Sequence, residues 1–200
     1  MPPLGVFTAS VFYKDIEDFI FEQTLTRDFG DIPDAELTTF RNGPSGSLLG
    51  LELGIQQQFS GALDGFGFQA NIAFIDGEAD VLGPEEGDPQ RELPFIKQSE
   101  QVGNIAFTYE NYGFFFRIAG SYRDEYLDEV GESPEEDRYV DEYFQVDIST
   151  RYRFDTDFTV FANFLNITDE PFEAVWGETG RLSQFEEYGW SANAGIKYSY

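Results

Sequence analysis

The sequence of 200 residues contains neither cysteine nor histidine. Without cysteine it can form no disulfide bond and no thiolate metal site. Without histidine it lacks the side chain that most often serves as a general base or a metal ligand. A catalytic triad with histidine and a zinc hydrolase site are therefore excluded. We expect no enzyme activity, no catalytic or metal-ligating residue, and no cofactor.

Long apolar runs are also missing, because no window holds about eighteen consecutive apolar residues, which excludes a transmembrane helix. The start, Met1 to Pro3, shows no basic or apolar leader, so we expect a chain that is not exported or one whose true N-terminus is missing.

Aromatic residues are plentiful, with 22 Phe and 11 Tyr, although the mean hydropathy of −0.37 is that of a polar protein. This combination favours strands with one apolar face over buried helices.

The formal net charge of −26 is concentrated in four segments, 22–41, 76–94, 124–142 and 169–187. They contain 28 of the 38 acidic residues but 5 of the 12 basic ones. Nucleic acid is not expected as a partner, since its phosphates would be repelled.

Residues alternate between apolar and polar in eight segments, as β-strands with two different faces do. The segments are 5–21, 37–59, 66–75, 95–110, 114–123, 144–154, 158–167 and 188–200. A bend or bulge is predicted at 43–46. Long links (22–36, 76–94, 124–142, 168–186) alternate strictly with short ones (60–65, 111–113, 155–157). The pattern predicts an all-β, antiparallel up-and-down transmembrane β-barrel with short turns at one end and acidic loops at the other.

The last strand carries aromatic residues at both ends of its apolar face, with small or aliphatic residues between them. We predict that Tyr188, Trp190, Tyr198 and Tyr200 lie at the two membrane interfaces, where aromatic side chains are enriched. The opposite faces of the strands carry Gln, Asn, Ser, Arg and Glu, which suits a wet lumen.

The C-terminus also resembles the signal by which outer-membrane barrels are recognised by their assembly machinery. That signal combines polar, glycine, hydrophobic and aromatic positions and ends the chain. Asn193, Gly195, Ile196, Tyr198 and Tyr200 match it.

The sequences NFLNITDEP at 163–171 and EEYGW at 186–190 resemble the end of TonB-dependent outer-membrane receptors. Weaker likenesses to the same family are FYKDIEDFI at 12–20 and GLEL at 50–53. In members of that family, a barrel of 22 strands is preceded along the chain by an N-terminal plug domain and a short segment that contacts TonB. The resemblance implies that residues 1–200 are the C-terminal portion of the barrel, about its last third, with the plug domain absent.

The same resemblance implies a place in the bacterial outer membrane and energised uptake of a scarce nutrient, such as a siderophore, cobalamin or an oligosaccharide. The implied partners are outer-membrane lipid and lipopolysaccharide, the barrel-assembly machinery, a small-molecule ligand, and the TonB system through the missing N-terminal part. Two alternatives remain open. One is a self-contained eight-stranded barrel with a structural or adhesive role, and the other is a soluble β-sandwich binding module.

Several side chains are candidates for ligand contact. The first group shares the polar faces of the fifth and sixth strands, near one rim or wall, and could touch an anionic ligand or the plug, or pair with acids such as Asp147. It consists of Arg117, Arg123, Arg151 and Arg153. In the last link, Trp176, Arg181 and Gln184 could contact a ligand or pack structurally.

Two further motifs have a functional and an ordinary interpretation. The acidic stretches 85–88 and 135–137 could bind calcium through carboxylate oxygens, but neither has the spacing of a calcium loop, which favours a solvated acidic surface. Asn166 begins a formal glycosylation sequon, which we interpret as a turn at the end of a strand.

Overall fold

The computed structural model describes residues 5–84, 90–154, 157–177 and 180–198, and its regular structure is almost entirely antiparallel β-strand. The helical segments of this part of the chain are two short 3-10 turns, Gly61–Leu63 and Pro134–Glu136. No helix within these ranges has the length and hydrophobicity needed to cross a membrane.

Eight long strands form one antiparallel sheet whose strand order follows the chain. They are β1 (Gly5–Phe29), β2 (Ile32–Gln58), β3 (Phe66–Val81), β5 (Gln101–Asn111), β6 (Phe114–Arg123), β9 (Tyr143–Arg153), β10 (Phe158–Leu165) and β13 (Ser191–Tyr198). A short strand, β4 (Arg91–Pro94), pairs back onto β3. The predicted number, order and antiparallel pairing of the long strands are confirmed.

A second, four-stranded sheet is formed by segments that the sequence predicted as loops. Its order is β12 (Arg181–Glu186), β11 (Phe172–Trp176), β8 (Arg138–Val140) and β7 (Tyr126–Glu129). The prediction of loops at 124–142 and 168–186 is therefore wrong for these residues. We call this sheet, together with residues 130–137, the cap.

The first predicted link, 22–36, is also wrong, because β1 and β2 continue as a two-stranded ribbon to a turn between Phe29 and Ile32. We call residues 19–43 the ribbon. Pairing of β2 with β3 ends at Ser45 with Asp80, so the ribbon extends beyond the sheet. Pro33 lies where the ladder is irregular, between the pairs Arg27–Ala35 and Phe29–Ile32, which agrees with its lack of an N–H donor.

The two faces of β1 and β2 exchange at the base of the ribbon. The ladder omits the pair Asp18–Pro44, and Asp18 adopts a φ of 55°, a conformation that aspartate tolerates better than most residues. Before this point the even-numbered side chains of β1 lie on the polar face. After it, Phe19 lies on that face, where it packs against Phe95 with ring centroids 5.2 Å apart. The bend or bulge predicted at 43–46 corresponds to this omitted pair at Pro44, where the register of the ladder does not shift.

The apolar face of the large sheet is continuous across all eight strands. Leu51 pairs with Phe74, and Val160 with Ile196, in the same plane of side chains. This face is open to its surroundings, since Ile196 is 72% exposed and Val11 is 73% exposed. A soluble β-sandwich would instead pack such a face against a second sheet.

Aromatic rings collect on the apolar face at the end that carries the short connections. Phe158 contacts Tyr198 at a centroid distance of 4.8 Å, and Phe66 contacts Tyr109 at 4.7 Å. Along β9, the eight steps from Phe144 to Tyr152 span about 26 Å at roughly 3.3 Å per residue. That length is close to the height of the apolar band of outer-membrane barrels, about 25 Å.

The buried core lies on the polar side of the sheet, at the end of the long links. It joins the ribbon to the cap through Phe21, Val81, Ile96, Leu127 and Val130, of which Val81, Leu127 and Val130 are completely buried. The amide of Thr24 donates to the carbonyl of Val130 at 3.1 Å. The acidic segments therefore fold back over the polar face as a packed layer.

The large sheet ends at β1 on one side and β13 on the other, and these two strands do not pair within the described residues. β13 begins at Ser191, so Tyr188 and Trp190 precede it, in contrast to the predicted strand start at 188. Tyr200 of the predicted strand lies outside the described residues. Within the described residues, β13 and the part of β1 before the ribbon each leave one edge without a strand partner, as expected from the sequence, whereas in the ribbon Gln23 of β1 forms a bridge with Val130.

Candidate functional site

The polar face of the large sheet is lined by side chains that bond across neighbouring strands. Asn104 donates to Asn71 at 3.1 Å, and Asn163 to Asn193 at 2.9 Å. The Arg151 guanidinium donates to Glu110 at 2.8 Å. Such cross-strand amide and ion pairs are suited to a wall that faces water, because in a dry core they would have to offset a large desolvation cost.

The four candidate arginines share this polar face but do not lie at one rim. Arg117, Arg151 and Arg153 lie towards the short connections, and the Arg151 guanidinium lies 4.4 Å from the Phe115 ring. Arg123 pairs in register with Tyr143 at the opposite end, about 26 Å from Arg151 along the strands. Of the expected common rim or wall, the four arginines therefore share the wall, while Arg123 lies at the opposite rim.

Arg123 lies where the wall meets the cap. Its guanidinium packs over the rings of Tyr126 at 4.7 Å and Tyr143 at 5.7 Å. Its Nε atom is buried without a hydrogen-bond acceptor within the described residues.

Two arginines of the acidic links are the centres of ion-pair networks in the cap. Arg91 of β4 pairs with Asp137 and also donates to the carbonyl of Gly131 at 3.2 Å. Arg138 of β8 pairs with Asp128 and donates to Gln184 at 2.6 Å. These contacts connect segments 76–94, 124–142 and 169–187, so the links form one structure.

The ribbon is tied to the same structure. Arg41 donates to the Gln23 side chain at 2.7 Å and to the carbonyl of Gly83 at 2.8 Å. The carboxylate of Glu132 accepts a hydrogen bond from the amide of Thr26. The ribbon and the cap therefore share polar contacts as well as the apolar core.

A cleft of about 260 Å³ lies between the ribbon and the cap. Its walls bring together two of the candidates from the last link, Trp176 and Arg181, which are paired across β11 and β12. The acidic side chains of Glu36, Glu132 and Glu136 also line the cleft. Gln184 lies outside this lining and supports Arg138 instead. An aromatic surface and several charges in one cleft can bind a small polar ligand.

The motif around Asn166 forms a closed turn. Asn166 is buried, accepts from the amide of Glu170 at 2.9 Å, and donates to the carbonyls of Glu170 at 3.0 Å and Gly189 at 3.3 Å. The backbone N–H of Asn166 donates to the carboxylate of Asp147 at 2.9 Å. Because the side-chain amide is buried and bonded in both directions, the structure favours the turn interpretation over glycosylation.

The residues of the C-terminal signal occupy defined places in β13. Gly195 lies beneath the Phe161 ring, which would be 2.8 Å from an added Cβ atom, and Asn193 accepts the bond from Asn163. Ile196 and Tyr198 project from the apolar face. The contribution of these residues to assembly stays a prediction.

The acidic stretch 135–137 forms no metal site with the other described residues. Glu135 and Glu136 are exposed, whereas the carboxylate of Asp137 is taken up by Arg91. Among the described residues, no group of three or more acidic side chains is placed to hold a metal ion. The other candidate stretch, 85–88, lies outside the described residues.

Glu125, between β6 and β7, lies in the most acidic part of the surface. Partial burial raises the pKa of its carboxyl above the usual value for glutamate, and the negative charges of Asp141, Asp124 and Glu100 raise it further. Its protonation is therefore easier in the folded protein than in the unfolded chain.

Sequence reasoning did not identify Arg91, Asp137 or Arg138 as important residues. A signal was present, because Arg91 and Arg138 are the single basic residues of two strongly acidic segments. A lone cation among many carboxylates is well placed to become the centre of an ion pair.

Comparison with known proteins identifies a protein family whose model matches this sequence. The family model described as "TonB dependent receptor-like, beta-barrel" matches residues 2–167. A comparison with curated proteins gives no sequence match.

Solved structures with a similar fold are siderophore receptors. The siderophore receptor PiuA from Acinetobacter baumannii has a TM-score of 0.63 and 15% identity over 97% of this chain and 26% of its own. The ferric-catecholate import receptor Fiu from E. coli K12 has a TM-score of 0.63 and 13% identity over 98% of this chain and 25% of its own. The ferric enterobactin receptor PfeA from Pseudomonas aeruginosa has a TM-score of 0.57 and 13% identity over 98% of this chain and 30% of its own. The chain thus spans a quarter to a third of the length of these proteins.

Proposed function

Because the chain belongs to the TonB-dependent receptor-like β-barrel family, we propose that it forms part of the wall and outer surface of a receptor that imports a scarce nutrient. The receptor lies in the bacterial outer membrane, with the apolar face of the large sheet against lipid and the polar face towards the lumen. The observation that carries this proposal is the single apolar face that runs across all eight strands.

The arrangement of the connections supports the orientation. The short connections after β2, β5 and β9 lie at one end of the sheet, whereas the ribbon and the long connections lie at the other, which is the asymmetry of outer-membrane barrels with periplasmic turns and extended outer segments. The cap and the ribbon therefore face the outside of the cell. The cleft between them is open to ligand on that side.

The receptor as a whole would be a larger barrel, of which residues 1–200 supply the C-terminal third. The outer edges of β13 and of β1 before the ribbon support this proposal, because within the described residues each offers a row of backbone groups to a further strand. A self-contained eight-stranded barrel would need those two strands to pair with each other. Energy would come from TonB through a plug contributed by another part of the protein.

The ligand would be a metal chelate or another small nutrient. Siderophore receptors among the similar structures support a siderophore, with cobalamin or an oligosaccharide as alternatives. Within this chain, Trp176 and Arg181 are the proposed ligand contacts, since they share the outer cleft. The arginines of the wall face the lumen, where they can contact a plug.

Uptake by bacteria that carry the intact protein tests this function. Labelled ferric chelates should enter the cells in a TonB-dependent manner, and deletion of TonB should abolish entry while surface binding persists. Trp176→Ala should weaken binding about tenfold, a loss of about 1.4 kcal/mol. The matched control is Trp190→Ala, because Trp190 lies directly before β13 and does not line the cleft. Uptake that is unchanged by deletion of TonB would contradict the proposal.

A further inference from the structure

In the four charged segments, 22–41, 76–94, 124–142 and 169–187, the acidic and basic side chains differ in their exposure to solvent. Thirteen acidic residues of these segments are exposed, among them Glu36, Glu125, Glu136, Glu142 and Glu187. Of the five basic residues, all of which lie in the described ranges, Arg181 alone is exposed. The excess of negative charge is therefore on the surface and is not balanced within the structure.

The basic side chains are occupied by internal partners. Arg27 donates to the carbonyl of Pro84 at 2.5 Å, and Arg41 to Gln23 and Gly83. Arg91 and Arg138 are held in the ion pairs of the cap, where 19% and 10% of their side chains are exposed. A guanidinium held in this way cannot also bind an anionic ligand without losing its structural partner.

The exposed carboxylates act as a field and not as a chelating site. They are distributed over the ribbon, the cap and the approach to β13, and no three of them within the described residues converge on one metal position. Like charges spread over one surface attract cations from solution and repel anions over a distance of about 8 Å at physiological salt. The cleft lies within this field, since three carboxylates, those of Glu36, Glu132 and Glu136, line it together with a single cation, Arg181.

We propose that the outer surface of this chain selects ligands that carry positive charge and rejects polyanionic ones such as ferric tris-catecholates. The inference rests on the proposed function and names the ligand class for the same cleft. Trp176 supplies an aromatic surface on which a cationic group can pack, while the surrounding carboxylates neutralise its charge.

The field can be measured with charged thiol reagents, because these 200 residues contain no cysteine and any cysteine elsewhere in the intact receptor can be replaced by serine. Leu182 is 57% exposed beside Arg181 in the cap, and Leu63 is 52% exposed at the opposite end of the sheet. In the intact receptor in detergent, Leu182→Cys should react about tenfold faster with a cationic than with an anionic methanethiosulfonate, relative to the control Leu63→Cys. The preference should fall as salt is raised. If the ratio of the cationic to the anionic reaction rate were the same at positions 182 and 63, the proposal would be overturned.

Binding to the intact receptor tests the ligand class. A ferric trihydroxamate with a free ammonium group should bind about tenfold more tightly than an anionic ferric tris-catecholate. The double variant Glu36→Gln, Glu136→Gln should reduce this preference, whereas Asp64→Asn, at the far end of the sheet, should leave it unchanged. Tighter binding of the catecholate would refute the inference and leave TonB-dependent uptake intact. A loss of TonB dependence would instead refute the proposed function.

Discussion

At the scale of single residues, Asn166 connects more of the structure than any other residue of its turn. Through its side chain and its amide it contacts β9, the turn after β10 and the approach to β13. It also adopts a φ of 55°, which asparagine tolerates better than alanine. The motif that resembles the receptor family therefore positions the last strand.

Replacing Asn166 by alanine should destabilise the protein by about 2 to 4 kcal/mol, because buried partners lose their hydrogen bonds and the left-handed backbone is strained. The measurement is the urea midpoint at which the folded, heat-modifiable band of the intact barrel disappears on a gel. The control Asn163→Ala removes one exposed bond to Asn193 and should cost about 1 kcal/mol. Equal losses in the two variants would contradict the role assigned to Asn166.

The environment of Glu125 predicts a pH dependence of the cap. Its folded pKa is raised, so the folded state binds more protons than the unfolded state, and this contribution to stability increases as the pH falls from neutral through the raised pKa. Glu125→Gln should therefore slow hydrogen exchange in β7 and β8 at neutral pH and flatten its pH dependence. Glu187→Gln, exposed before β13, is the control. Faster exchange in the Glu125 variant would show that the charge stabilises the cap.

At the scale of strands and turns, the sequence predicted the eight long strands but missed the five short ones. Each long strand has enough residues to show its alternation, whereas β8 has 3 residues and β4 and β7 have 4 each. Their segments are rich in acidic residues, glycine and proline, which normally indicate loops. Their structure depends on the partners Arg91 and Arg138 and on burial of Leu127, which a linear pattern does not reveal.

Close packing of Phe12 on Gly50 fixes the register of β1 against β2. An added Cβ atom at Gly50 would lie 2.2 Å from the Phe12 ring, so Gly50→Ala should displace the ring and cost about 1 to 3 kcal/mol. Gly103→Ala is the control, because its nearest contact would be 3.4 Å. Urea denaturation of both variants measures the difference, and a Gly50 variant as stable as the control would disprove the packing effect.

The ion pair between Arg91 and Asp137 should hold the cap together. Asp137→Asn leaves Arg91 without its carboxylate in a mostly buried place and should lower the stability of the cap by about 2 to 3 kcal/mol. Hydrogen exchange should accelerate in β7, β8 and β11 but not in β9. The control Glu110→Gln breaks an exposed pair with Arg151 and should cost less than about 1 kcal/mol. An unchanged exchange rate in β8 would rule out this role.

At the scale of the whole molecule, two environments are separated along the strands. The wall is apolar on one face and polar on the other, while the only extended core of the described residues lies where the ribbon meets the cap. The placement of the candidates follows from this division. Trp176 and Arg181 meet because β11 and β12 fold into the cap, and Arg123 is far from Arg151 because the strands run the full length of the wall.

The exchange of faces at Asp18 and Pro44 has a consequence for how the chain tolerates change. If positions 7–13 and 19–25 of β1 were replaced in turn by a charged residue, tolerance would rise and fall with a period of two residues in both stretches. The odd positions of the first stretch, such as Val11, would be sensitive through contact with lipid. The odd positions of the second stretch, such as Phe21, would be sensitive through the core of the cap. The same sensitivity of odd-numbered positions would thus have two causes: contact with membrane hydrocarbon before Asp18 and burial in the protein core after it.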